Sequence, residues 1–415
     1  MRVSPVILAL FIACDNHKQE DGGSYARQVA EATPKIEKAT GLKFKRPPVV
    51  EVRSRSEVRS FLERTFREQM TEQEAEGQQS AYRLLGVLPD TLDLEKFILD
   101  LLTEQVVGYY DPSTKVLYIV REAPAEQTNL IVAHELVHAL QDQYTNLDSI
   151  FSIKDDNDRV TAARSVVEGQ AMLASLPALG IDGDVAARLP GGWDRVRQMI
   201  RENQSSMPVF ASAPLIIQET QLFPYLSGAE FVRRFGERRP GAVPYGTATP
   251  VSTEQVIHTN AYFGTARDEP SRVTLPEPRG ATRVYDNNLG EFETRVVLFE
   301  SLRDQNESVR AAAGWSGDRY MVVKTRHGEG LIWASVWDTQ VDAAEFYGAM
   351  SDVIAKRFGS PAARERPDGG ISFTSRGRAL SLWAGSVADR PLVLYTDLPE
   401  GASAVSVDPR SITLQ

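Results

Sequence analysis

Apolar residues recur with helical spacing over 25–40, 57–69, 92–102 and 159–176, which predicts four helices in the first half of the chain. Shorter runs at 49–52, 106–110 and 116–120 are rich in Val, Ile and Tyr and read as strands. Asp111-Pro112-Ser113 separates the last two, so they are expected to form a hairpin. The polar stretch 71–80 carries no apolar period and reads as a loop, followed by a short helical piece, 81–85, that stops at Gly86. Further helices are predicted near 194–204 and over 214–235.

A Pro-bearing, charged stretch at 268–279 breaks the pattern and reads as a linker. Beyond it, helical spacing covers 289–303, 307–313 and 341–358. Strand-like runs lie at 319–324, 331–337, 371–375, 379–383 and 392–395. Mixed elements of this kind predict an α+β module. Trp315, Trp333, Trp337 and Trp383 are read as its core, because large aromatic rings bury more area than any other side chain. His327, in Arg-His-Gly-Glu-Gly, is assigned to an inert turn.

One helical run departs from the amphipathic pattern. Residues 130–140 are apolar on nearly every face except the one bearing His134, Glu135 and His138. A helix apolar all round is buried, and polar groups in it are costly unless something satisfies them. Residues four apart share a helix face, so both imidazoles can converge on one cation while Glu135 stands ready to hold a water. Zinc takes imidazole nitrogen and keeps a position open in catalytic sites. Thr128 is the expected N-cap, with Gln141 and Asp142 at the wetter end.

A third protein ligand has to come from elsewhere. Glu168 lies in the 159–176 helix among Val166, Val167, Ala171, Met172 and Leu173, where an unpaired carboxylate would be expensive. Two histidines from one helix and a glutamate from the next is a donor set used by zinc hydrolases.

His-Glu-x-x-His followed by a helix with Glu168-Gly169-Gln170-Ala171 resembles the gluzincin (thermolysin-like) metallopeptidases. Taken with Gly108-Tyr109-Tyr110-Asp111-Pro112, Phe223-Pro224-Tyr225-Leu226, Ser252–His258 and Gly314–Arg319, the likeness is to bacterial envelope proteins described only as candidate metallopeptidases. It covers roughly residues 85–350. The resemblance implies zinc held by His134, His138 and Glu168, with Glu135 as catalytic base. It also suggests that strand 115–120 is an edge strand that pairs with an extended substrate. Gln170 and Met172 depart from the acids found in relatives, so Asp142 is a substitute candidate for orienting a histidine. An oxyanion donor is needed for attack on a carbonyl, and His258 and Tyr225 are the candidates.

Composition narrows the alternatives. The 415 residues carry a net charge of −10 with no basic stripe, which disfavours nucleic acid as a partner. Cys14, the single cysteine, ends a short apolar run that follows Arg2 and resembles a lipoprotein export signal. The expected organisation is therefore a signal (1–13), a tether (14–24), a mainly helical zincin-like domain with a small N-terminal sheet (25–267), a linker (268–280) and a smaller α+β C-terminal domain (281–415). The expected function is zinc-dependent cleavage of a peptide or protein substrate at the cell envelope, with a lipid on Cys14 as the membrane attachment. The competing reading is a non-catalytic envelope binding protein whose metal site is vestigial or structural.

Overall fold

The computed structural model describes residues 22–123, 125–151, 153–180, 207–402 and 405–415. Cys14 and the helix expected at 194–204 lie outside the described residues. The fold is α+β.

The chain opens with α1 (Gly22–Thr40), β1 (Val49–Arg53), α2 (Arg55–Gln69), α3 (Glu72–Leu85) and α4 (Leu94–Gln105). Helix α3 occupies the stretch read as a loop. It is polar, but Thr71 and Glu74 form a reciprocal capping box, and Ala75, Ala81, Tyr82 and Leu85 are buried. Capping and one narrow buried stripe thus make a helix that the apolar period did not reveal. Strands β2 (Gly108–Asp111) and β3 (Val116–Val120) form the expected hairpin.

The order in this first sheet is β1-β3-β2, with β1 parallel and β2 antiparallel to β3. Strand β3 is therefore central, its backbone occupied on both sides. The substrate-pairing role expected for 115–120 fails on that ground. Leu117 and Ile119 face α1 and helix α5 (Ala125–Gln141), while Tyr118 and Val120 face the larger core. Thr128 lies inside α5 and is fully buried, so it is not the N-cap.

Next come α6 (Leu147–Phe151), α7 (Asn157–Ser175), α8 (Pro208–Ala211), α9 (Leu215–Arg238), α10 (Thr253–Ile257) and α11 (Thr259–Phe263). Helices α7 and α9 cross at two glycines. A Cβ on Gly228 would collide with the Ser165 carbonyl, and one on Gly169 would collide with the backbone of Gly228. Only hydrogen at both positions lets the two backbones touch.

The remainder comprises β4 (Val273–Thr274), β5 (Thr282–Asn287), α12 (Gly290–Leu302), α13 (Gln305–Ala312), β6 (Trp315–Thr325), β7 (Gly328–Trp337), α14 (Gln340–Phe358), β8 (Arg364–Glu365), β9 (Ile371–Ser375), β10 (Arg378–Val387), β11 (Arg390–Pro399) and β12 (Thr413–Leu414). Seven strands form an antiparallel sheet in the order β5-β6-β7-β11-β10-β9-β8. Tyr320, Val322, Leu331, Trp333 and Tyr395 face the helices, and Met321, Val323, Ile332, Ala334 and Leu394 face the opposite side. That second face is covered by Val273, Leu275, Ala402, Val405 and Ile412.

The segment expected to be a linker is thus part of the fold. Its strand β4 pairs with β12, and Arg272 exchanges backbone hydrogen bonds with Gln415. Trp315, Trp333 and Trp337 are fully buried as expected, and Trp383 packs partly buried on the second face. His327 is exposed in the β6–β7 turn. One apolar cluster runs without interruption from Val58 to Tyr395 and takes in α2–α4, α9, α12, α14 and the large sheet.

Candidate metal centre

Helix α5 is buried from Ile131 to Gln141, with Val132, Leu136, Val137 and Leu140 packed against α1, β3 and α7. This packing fixes the rotation of the helix and turns His134 and His138 toward α7. Glu168 meets them from that neighbouring helix.

The geometry is that of three ligands around one point. His134 Nε2 and His138 Nε2 are 3.1 Å apart, and Glu168 Oε2 lies 3.4 Å from the first and 3.5 Å from the second. Atoms bound at 2.0–2.1 Å on corners of a tetrahedron are separated by about 3.4 Å. The three donors therefore fit a single tetrahedral ion. Both oxygens of Glu168 are buried and accept no hydrogen bond, so a cation answers a cost that the protein leaves unmet. The chain thus contains a buried His-His-Glu group able to hold a metal ion.

Electrostatics favour the ligating forms. Burial pulls the His134 pKa down, and Glu168 only partly offsets this, which leaves a neutral ring with a free lone pair. Burial alone would raise the Glu168 carboxyl. His138 and His134 outweigh that effect and hold it below the usual carboxylate range.

Glu135 projects beside the triad and is fully buried. Its Oε2 accepts the Tyr110 amide at 2.8 Å, while its Oε1 has no partner. One oxygen is thus anchored by strand β2 and the other is left for a ligand. Burial pushes the Glu135 carboxyl well above its ordinary range, Glu168 adds to this, and the Tyr110 amide opposes both. A cation in the triad would act against this rise, since its charge favours the ionised carboxylate.

Outside the ligands, Gln141 rather than Asp142 orients a histidine. Its amide nitrogen donates to Val167 O and Gln170 Oε1, so its Oε1 must accept from His138 Nδ1, 2.7 Å away. The proton on Nδ1 leaves the Nε2 lone pair pointing at the triad. Asp142 is committed elsewhere, accepting from Tyr110 Oη, Lys115 Nζ and the Leu147 amide. The sequence reading missed both the Gln141 role and the Tyr110 anchor. Gln141 could have been found one turn beyond His138, whereas a backbone donor leaves no mark in a sequence.

Tyr225 and His258 part company. The Tyr225 ring is buried and lies 6.1 Å from that of His134. His258 is instead tied to Glu291 Oε1 at 2.9 Å and to Arg295 Nη2 at 3.1 Å. It caps α10, whose Thr253 bonds Asp158 at the start of α7. Ten residues of helix, about 15 Å, separate Asp158 from Glu168. The structure does not bring His258 to the triad. Tyr245, not anticipated from sequence, stands buried beside the Gln141 side chain.

Residues 278–386 match a sequence family described as a domain of unknown function, DUF8575. No curated protein matches the chain. Among solved structures, the chain is similar to "a putative hydrolase with a novel fold" from Chloroflexus aurantiacus. The two are 19% identical with a TM-score of 0.33, over 58% of this chain and 88% of the other.

Proposed function

We propose that the chain is a zinc-dependent peptidase of the gluzincin type, with His134, His138 and Glu168 as metal ligands and Glu135 as general base. The observation that carries this reading is the unpartnered Glu135 Oε1 beside a triad spaced for one tetrahedral ion. A structural metal site has no use for a buried carboxylate held by one oxygen and open at the other.

Zinc at the triad would acidify an attacking water and polarise a scissile carbonyl. Glu135 Oε1 takes the proton from that water and then delivers it to the leaving amine, so one carboxylate serves as base and then acid. Tyr110 N–H keeps the carboxylate oriented through both transfers. Tyr225, whose ring lies 6.1 Å from that of His134, is our candidate donor to the developing oxyanion. A peptide or protein is the substrate class, and attachment to the envelope through Cys14 belongs to the same reading.

The test is Glu135→Gln. The variant should retain one zinc per chain by elemental analysis and lose about a hundredfold to ten-thousandfold in turnover of a peptide library. Cleavage by the variant at the wild-type rate, or cleavage that survives zinc removal, would overturn the assignment.

A further inference from the structure

A second group of carboxylates meets far from the triad, in a cavity of about 420 Å³ between the helical half and the large sheet. Glu254 comes from α10, Asp268 from the segment after α11, and Asp338 from the end of β7. One oxygen from each lies within 4.8 Å of the others. Three oxygens spread evenly around a calcium ion at 2.3–2.6 Å are about 4.0–4.5 Å apart, so a small side-chain adjustment brings all three to one ion.

Glu254 supplies the decisive observation. Its side chain is 4% exposed, lines this cavity, and receives no hydrogen bond or ion pair from any described residue. Its carboxylate opens into the cavity and meets no protein donor, which leaves the compensation of its charge to whatever occupies that cavity. The cations nearby are engaged otherwise. Arg267 bonds Gln255 Oε1 and the Thr247 and Thr249 carbonyls, His258 is held by Glu291 and Arg295, and Arg390 reaches only Asp338, at 3.7 Å.

We infer that Glu254, Asp268 and Asp338 form a binding site for a hard divalent cation, calcium by preference, that clamps the helical half to the large sheet. An all-oxygen donor set selects calcium over zinc, and the cavity leaves room for the water ligands that complete six to eight positions. Magnesium, which demands short octahedral bonds, suits three carboxylates from separate segments less well. The site is independent of the His134 centre, because calcium is a poor partner for imidazole.

The test uses the full chain, stripped of metals over chelating resin and repleted with one equivalent of zinc. Titration with calcium chloride should raise Tm by roughly 2–6 °C, following binding to the native state alone. Equilibrium dialysis should show one calcium per chain. Glu254→Gln should abolish the calcium response and raise Tm in calcium-free buffer, since a neutral amide relieves the crowded charges. Asp268→Asn, on a partly exposed residue, should abolish the response as well and guards against misfolding of the first variant. A calcium response absent from the wild type, or unchanged in both variants, would overturn the proposal.

Discussion

Gln141 decides which nitrogen of His138 faces His134 and Glu168, and it does so as a neutral amide. A carboxylate in that place would add basicity to the ring, whereas an amide fixes the tautomer with less electron donation. Gln141→Leu keeps the bulk and removes the acceptor. It should weaken zinc affinity by about 10–100-fold while leaving the fold intact, measured by competition with a chromophoric chelator. Unchanged affinity would mean that packing alone holds the ring. The buried His-His-Glu group was legible in the sequence, because costly polar residues in apolar helices announce themselves at His134, His138 and Glu168. The orienting shell was not. Gln141 and Asp142 are adjacent polar residues at the same helix end, and only the 100° step between neighbours on a helix separates their partners.

At the scale of elements, the crossing of α7 and α9 sets the depth of the candidate metal centre. Gly169 follows Glu168 directly, and Gly228 lies one turn beyond Tyr225, so the same contact positions a candidate metal ligand and the ring near His134. Gly228→Ala forces a methyl into the Ser165 carbonyl and should cost about 1–3 kcal/mol or more, with weaker zinc binding as Tyr225 and Glu168 move apart. Gly236→Ala, on the same helix with nothing within 4 Å, is the control. It should stabilise by about 0.5–1 kcal/mol from helix propensity alone. Equal effects of the two on Tm would sink the argument. Elements with a strong apolar period, such as α1, α2, α7 and α14, were readable within a few residues. Helix α3 was not, since its stability rests on a capping box and tertiary contact, and the central position of β3 was hidden because β1 pairs with it across some sixty intervening residues.

For the molecule as a whole, the unbroken core from Val58 to Tyr395 predicts that the helical half and the sheet unfold together. Scanning calorimetry should show one transition, moved as a unit by zinc or calcium, and two separable transitions would contradict this. Acidity enters through Glu254. Burial, with Glu291, Asp268 and Asp338 nearby, pushes its carboxyl up from 4.5 to about 10. The native state therefore holds the proton more tightly than the unfolded chain does. In calcium-free buffer this group costs nothing below about pH 4.5, and its penalty grows as pH rises from there toward 10. The fall in Tm with pH over that window should be shallower in Glu254→Gln. A slope identical to wild type would assign the effect to other groups.

Strand β4 and its pairing with β12 carry one more lesson, about where this gene can be cut. Severing it after residue 280, at the end of the stretch its composition marks as a linker, would strip Val273 and Leu275 from the large sheet and bare the aliphatic floor they roof. The expected products are two sticky, aggregating fragments. A minimal version of this protein is close to the entire described chain.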